Sequence, residues 1–151
     1  MNAAIYPLTI YYDASCPLCN GEMTNLMLRN TNPERPLIFV DASAPTFESP
    51  LPGTTRADLM ALIHARRADG QVVRSVEVFR LAYEAAGLGW VTAPTRWPVL
   101  RPLADRLYPW LARNRQRIPR RLVTLVFEGA TRQAAEQAAR RARCNHDTCS
   151  L

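Results

Sequence analysis

The sequence predicts an α/β fold, a mixed sheet made from a β-α-β unit and a β-β-α unit, with a helical extension at its C-terminal end. Three observations lead there. Over residues 5–90, short runs of β-branched and aromatic residues alternate with segments of helical periodicity. Ala68-Asp69-Gly70 gives a tight-turn signal between two strand-like runs. Beyond Trp90 the strand signals stop, and leucine, alanine and arginine recur at helical spacing. The expected organisation is one α/β domain over 5–90 and an extension over 91–151 packed on it.

Leu8 to Tyr12 (LTIYY) is the first strand. It runs into Asp13-Ala14-Ser15-Cys16-Pro17, where Pro17 suits a first helical turn because its missing N–H costs nothing there. Leu18, Met23, Leu26 and Met27 carry that helix to about Arg29. Pro36 to Asp41 is the second strand, parallel to the first because a helix connects them. Residues 42–58, with Pro45, Pro50, Pro52 and Gly53, read as an irregular loop with at most a short helix. Leu59 to Ala65 is the expected third strand and Gln71 to Arg74 the fourth. Ser75 is expected to cap a helix through Ala86, stopped by Gly87. This is the element order of a thioredoxin-like domain.

In the extension, Val99, Leu100, Leu103, Leu107, Trp110 and Leu111 form an apolar stripe, and Pro102 and Pro109 are expected to shorten or kink its helix. Leu122 to Phe127 is expected to be helical, and Thr131 to cap a separate last helix over 132–143. Trp90, Trp97 and Trp110 are expected to pack within this helical part, rather than to form a membrane or nucleic-acid surface.

Charge is divided unevenly. Residues 1–90 carry a net −2 and residues 91–151 a net +8, within a total of +6. A solvated helix face accounts for this, with an acidic partner or an anionic membrane surface as the alternatives, and no nucleic-acid module accompanies it. A composition 48% hydrophobic is enough to build a core without disulfide staples. There is no apolar run of membrane-spanning length and no leader-like start, so the cytoplasm is the expected compartment. A close cysteine pair there is catalytic or metal-binding more often than structural.

The chemistry centres on Cys16-Pro17-Leu18-Cys19. A thiol has a pKa of ~8.5, and the unpaired N–H groups and dipole of a helix N-terminus lower it. Two intervening residues let the second sulfur reach the first, so Cys16 is the expected nucleophile and Cys19 the resolving thiol. Asp13 is expected either to assist proton transfer or simply to cap the turn, and its carboxylate would raise a neighbouring thiol's pKa. Asn20 and Glu22 are expected at the surface. No organic cofactor is needed, since the cysteines hold the two electrons themselves. The expected partners are protein or small-molecule thiols and disulfides.

Zinc is the competing reading. Cys16 and Cys19 with Cys144 and Cys149, or with His146, would supply a tetrahedral set, but the pairs are far apart in sequence and Cys19 lies inside a helix. Cys144 and Cys149 otherwise read as a redox relay, a local latch or free thiols in a tail. His64, alternating with apolar neighbours, reads as a surface or packed residue rather than a base.

The string YYDASCPLCNGE resembles the Asp-x-x-Cys-x-x-Cys signature of the DCC family of thiol–disulfide oxidoreductases. IHARRADGQVVRSVEVFRLAYEAAG and WPVLRPLADRLYPWLARNRQRI are similar to that family's middle and C-terminal blocks, so the likeness covers most of residues 8–118. The resemblance implies a thioredoxin-like fold with Asp13, Cys16 and Cys19 as signature residues. Thioredoxins proper place a cis-proline before the third strand, where this chain has Thr54-Thr55-Arg56-Ala57-Asp58. Pro52, the nearest proline, lies rather too early for that place, and Arg56 is one candidate for a positive charge near the thiolate instead.

Overall fold

The computed structural model describes residues 4–146. Strand β1 (Leu8–Tyr12) feeds helix α1 (Pro17–Arg29), and β2 (Leu37–Asp41) returns beside β1 in parallel. Helix α2 (Arg56–Ala61) precedes the antiparallel pair β3 (His64–Arg66) and β4 (Val72–Arg74), and α3 (Val76–Ala85) follows. The sheet order is β2-β1-β3-β4, with β1 antiparallel to β3. This is the expected mixed sheet of a thioredoxin-like fold. The alternation along β1 puts Leu8, Ile10 and Tyr12 into the main core with Met23 and Leu26 of α1 and Val78, Leu81 and Ala82 of α3. Tyr11 points to the other face, where Leu51 and Leu59 cover it.

The third strand is shorter than expected, because residues 56–61 are helical. Thr55 and Asp58 form a capping box: the Asp58 N–H donates to Thr55 Oγ1 at 3.2 Å and the Thr55 N–H to Asp58 Oδ2 at 2.8 Å. That local cap commits Leu59 and Met60 to a helix, in spite of their place in an apolar run. Ser75 stands at the N-cap of α3 as expected, yet its hydroxyl makes no cap bond and its φ is +62°. Gly87, at φ +74°, ends the helix in the conformation that glycine adopts most readily.

The extension is helical: α4 (Gly89–Thr92), a 3₁₀ turn, α5 (Leu100–Asn114), a second 3₁₀ turn over Arg115–Arg117, and α6 (Arg120–His146). Three expectations are corrected here. Helix α5 is not cut short by either proline: Pro102 lies in its first turn, and the helix continues through Pro109 to Asn114. Thr131 caps nothing, since α6 is one helix from Arg120 onward. Val123, Phe127 and Ala134 recur on the α6 face that meets α1, and that packing offsets the cost of Gly129. The tryptophans are exposed, Trp90 at 74%, Trp97 at 65% and Trp110 at 57%. The face that α5 buries carries Tyr108, Ala112 and the approach to Arg115.

Buried Arg80 holds the extension to α3. Its guanidinium donates to Thr95 Oγ1 and to the Thr95 carbonyl, and pairs with Glu77 at 3.0 Å and Asp105 at 3.3 Å. No helix among the described residues is long and apolar enough to cross a membrane.

Candidate functional site

The turn from β1 into α1 is built by Asp13. Its Oδ1 accepts the Ser15 N–H at 3.0 Å and the Ser15 hydroxyl, which fixes the bend that delivers Cys16 to the N-cap of α1. Cys16 has extended φ/ψ of −85° and 118°, Pro17 opens the helix, and the Asn20 N–H makes the first helical bond to the Cys16 carbonyl at 2.9 Å. Both cysteines are free thiols, Cys16 buried and Cys19 half-buried.

The two sulfurs are inequivalent. Cys16 accepts a hydrogen bond from the Cys19 thiol and others from the Cys19 and Leu18 backbone N–H groups, and with the Arg115 guanidinium these outweigh burial and hold its pKa down at about 6. Cys19, as the donor of that bond and partly desolvated, is pushed up, and the Asp13 carboxylate adds to the rise. The two shifts run in opposite directions, favouring the thiolate at Cys16 and the thiol at Cys19.

Arg115 completes the arrangement, and the sequence reasoning missed it. Its Nη1 lies 3.2 Å from Cys19 Sγ, and its Nη2 pairs with Asp13 Oδ2 at 3.0 Å and donates to the Met60 carbonyl. Both side chains of the pair are nearly inaccessible, at 6% and 1% exposure. Asp13 is thus the anchor of a buried cation at the cysteines as well as the cap of the turn. Arg56 does not take that place: it donates to the carbonyls of Ala42 at 3.1 Å and Ser43 at 2.6 Å. The signal for Arg115 was its position, at i+3, i+7 and i+11 from Ala112, Tyr108 and Ala104 on the inner face of α5.

Other expectations divide. Asn20 is exposed as expected, whereas Glu22 is half-buried, accepts a hydrogen bond from Tyr83 and has its carboxyl pKa raised by burial. His64 is packed, its Nδ1 bonded to the Leu62 carbonyl at 2.8 Å, and burial lowers its pKa. No cis peptide precedes β3; among the described residues the cis bond is Tyr6–Pro7. Among the described residues, no cluster of three or more His, Cys, Asp or Glu is placed to hold a metal. Cys149 lies outside the described residues, as do the side chains of Cys144 and His146, so the zinc, relay and latch readings do too.

Behind Cys19 is a cavity of about 200 Å³, walled by α1, α2, α3, α5 and α6 and bordered by Arg115. A wider groove of about 880 Å³ runs between the start of α1 and α6, with neither cysteine on its wall.

A thioredoxin-like sheet that presents a free Cys-x-x-Cys pair at a helix N-terminus defines a protein of the thiol–disulfide oxidoreductase class. The chain belongs to the DCC1-like thiol-disulfide oxidoreductase family, whose model matches residues 10–121. An uncharacterized chloroplastic protein of Arabidopsis thaliana is 33% identical over 141 residues, 92% of this chain. The chain spans 65% of that relative's length. No solved structure matches it.

Proposed function

We propose that this chain is an enzyme of thiol–disulfide exchange in which Cys16 is the nucleophile and Cys19 the resolving thiol. The observation that carries this is the free Cys16 and Cys19 pair at the N-terminus of α1, with the Arg115 guanidinium 3.2 Å from Cys19 Sγ. Cys16 thiolate attacks a sulfur of the partner disulfide, and the other sulfur leaves with the electron pair. Forming the mixed disulfide removes the acceptor of the Cys19 hydrogen bond and the negative charge beside it. Both had raised the Cys19 pKa, so Cys19 ionises more readily at the step where it must attack. Arg115 favours the thiolate at both stages. Asp13 is a positioning residue: it holds Arg115, and its charge acts on Cys19 in the opposite direction.

The test is the rate of alkylation against pH, with the modified cysteine assigned by mass spectrometry. A depressed pKa means the thiolate persists above about 6 and is lost as pH falls through that value. Cys16 should therefore react with a midpoint near 6 and faster than Cys19 at neutral pH. In Cys19→Ala, which removes the largest stabilising bond, the midpoint should rise toward the free-thiol value of ~8.5. An unshifted Cys16 in reduced protein would overturn the mechanism.

A further inference from the structure

Helix α5 has two faces, and the exchange steps use one of them. Its inner face carries Tyr108 and Ala112, and the turn after it brings Arg115 to within 3.2 Å of Cys19 Sγ. Its outer face carries Leu100, Leu103, Leu107 and Trp110, three or four residues apart and all exposed. Trp97 and Val99, just ahead of the helix, are exposed as well. Folded domains rarely leave a contiguous row of large apolar residues open to water without a partner for it.

The charges beside this row have one sign. Arg106 sits one turn from both Leu103 and Trp110, and Arg113 one turn beyond Trp110, so the two guanidinium groups run alongside the apolar residues. Both are exposed, and neither is ion-paired among the described residues. The one acid in α5, Asp105, is taken up by buried Arg80 at 3.3 Å. Leu122 and Leu125 beside Arg120 and Arg121 repeat the combination in the first turns of α6. A helix with a Trp/Leu face bordered by arginine, amphipathic but polar on average, is the form that lies in the plane of a lipid interface, where tryptophan sits at headgroup depth. A second copy fits less well, since a two-fold contact through this face would bring Arg106 and Arg113 up against their own counterparts.

We infer that the outer face of α5 docks on an anionic lipid surface, with Leu103, Leu107 and Trp110 at the boundary of headgroups and acyl chains and Arg106 and Arg113 against lipid phosphates. The helix lies on the membrane and does not span it, being too short at 15 residues. The same helix faces the cysteine pair from its inner side. A seated molecule therefore holds Cys16 and Cys19 one helix diameter, ~10 Å, from the lipid. The inference stands apart from the exchange chemistry and gives it a location.

The experiment is co-sedimentation of the full chain with phosphatidylcholine vesicles, with and without phosphatidylglycerol, read together with tryptophan emission. The chain should bind the phosphatidylglycerol vesicles about tenfold or more tightly than the neutral ones, lose that preference as salt rises, and shift its emission to the blue. Arg106→Gln and Arg113→Gln should each weaken binding about fivefold, whereas Arg74→Gln, exposed on β4, should leave it within about twofold. Leu103→Gln combined with Leu107→Gln should weaken it by about tenfold or more. All these positions are exposed, where substitution alters stability little, and circular dichroism checks the fold of each variant. Sedimentation equilibrium without lipid should give a monomer. No binding to the anionic vesicles, or binding that the α5 substitutions leave unchanged, would overturn the inference. A lipid-free dimer that the double leucine variant dissociates would overturn it too, and assign the face to a second copy.

Discussion

The sheet with its first three helices and the C-terminal helices treat apolar residues in opposite ways. Leu8, Ile10, Leu26 and Leu59 are fully buried, so the first region makes a core from its own elements. Leu103, Leu107, Trp110 and Leu125 stay more than half exposed in the second. That second region is held by a few specific contacts: Arg80 to Thr95 and Asp105, Arg115 to Asp13, and the α6 face against α1. One region carries the sulfurs and the other the cation that faces them. Reactivity therefore depends on docking the part with the weaker core of its own.

The sharpest way to break that comparison is to cut the ionic link. Arg115→Ala leaves the Asp13 carboxylate buried without its partner, which costs about 3–5 kcal/mol for a pair this inaccessible. Urea unfolding should show that loss, and the alkylation midpoint of Cys16 should rise in whatever fraction stays folded. A loss confined to stability, with no movement of the midpoint, would detach Arg115 from the chemistry. Next in size is a pair of leucine truncations. Leu8→Ala, in the core, should cost about 2–5 kcal/mol. Leu103→Ala, 60% exposed on α5, should stay within about 0.5 kcal/mol in the same assay. Equal effects would mean that the α5 stripe is covered in solution. The last effect is a gain. Gly21 lies inside α1, and a Cβ there would meet Phe127 of α6 at 3.6 Å, an ordinary contact. Gly21→Ala should therefore stabilise by about 0.5–1 kcal/mol, read as a higher Tm.

The same division decides how far the sequence could be read. β1, α1, β2 and α3 follow from alternation, a helix-opening proline and a glycine stop, all of which act within a few residues. The third strand starts later than its apolar run predicts because the capping box of Thr55 and Asp58, immediately before that run, outweighs it. In α5 the periodicity marks a Leu/Trp stripe correctly but does not say which face finds a partner. The buried face instead carries the smaller Ala104 and Ala112 beside Tyr108. Cys16 and Cys19 were legible from their spacing, and Asp13 from its place before the helix. Arg115 was not, since nothing local connects it to a turn about a hundred residues earlier.

That separation also sets a timetable. During synthesis the β-α-β unit and both thiols emerge well before Arg115, and at ~5–20 residues per second the interval is about 5–20 s. Throughout it the nascent chain carries the cysteines without the guanidinium that faces them. The charge around them is completed only once α5 and the turn after it have been made and docked.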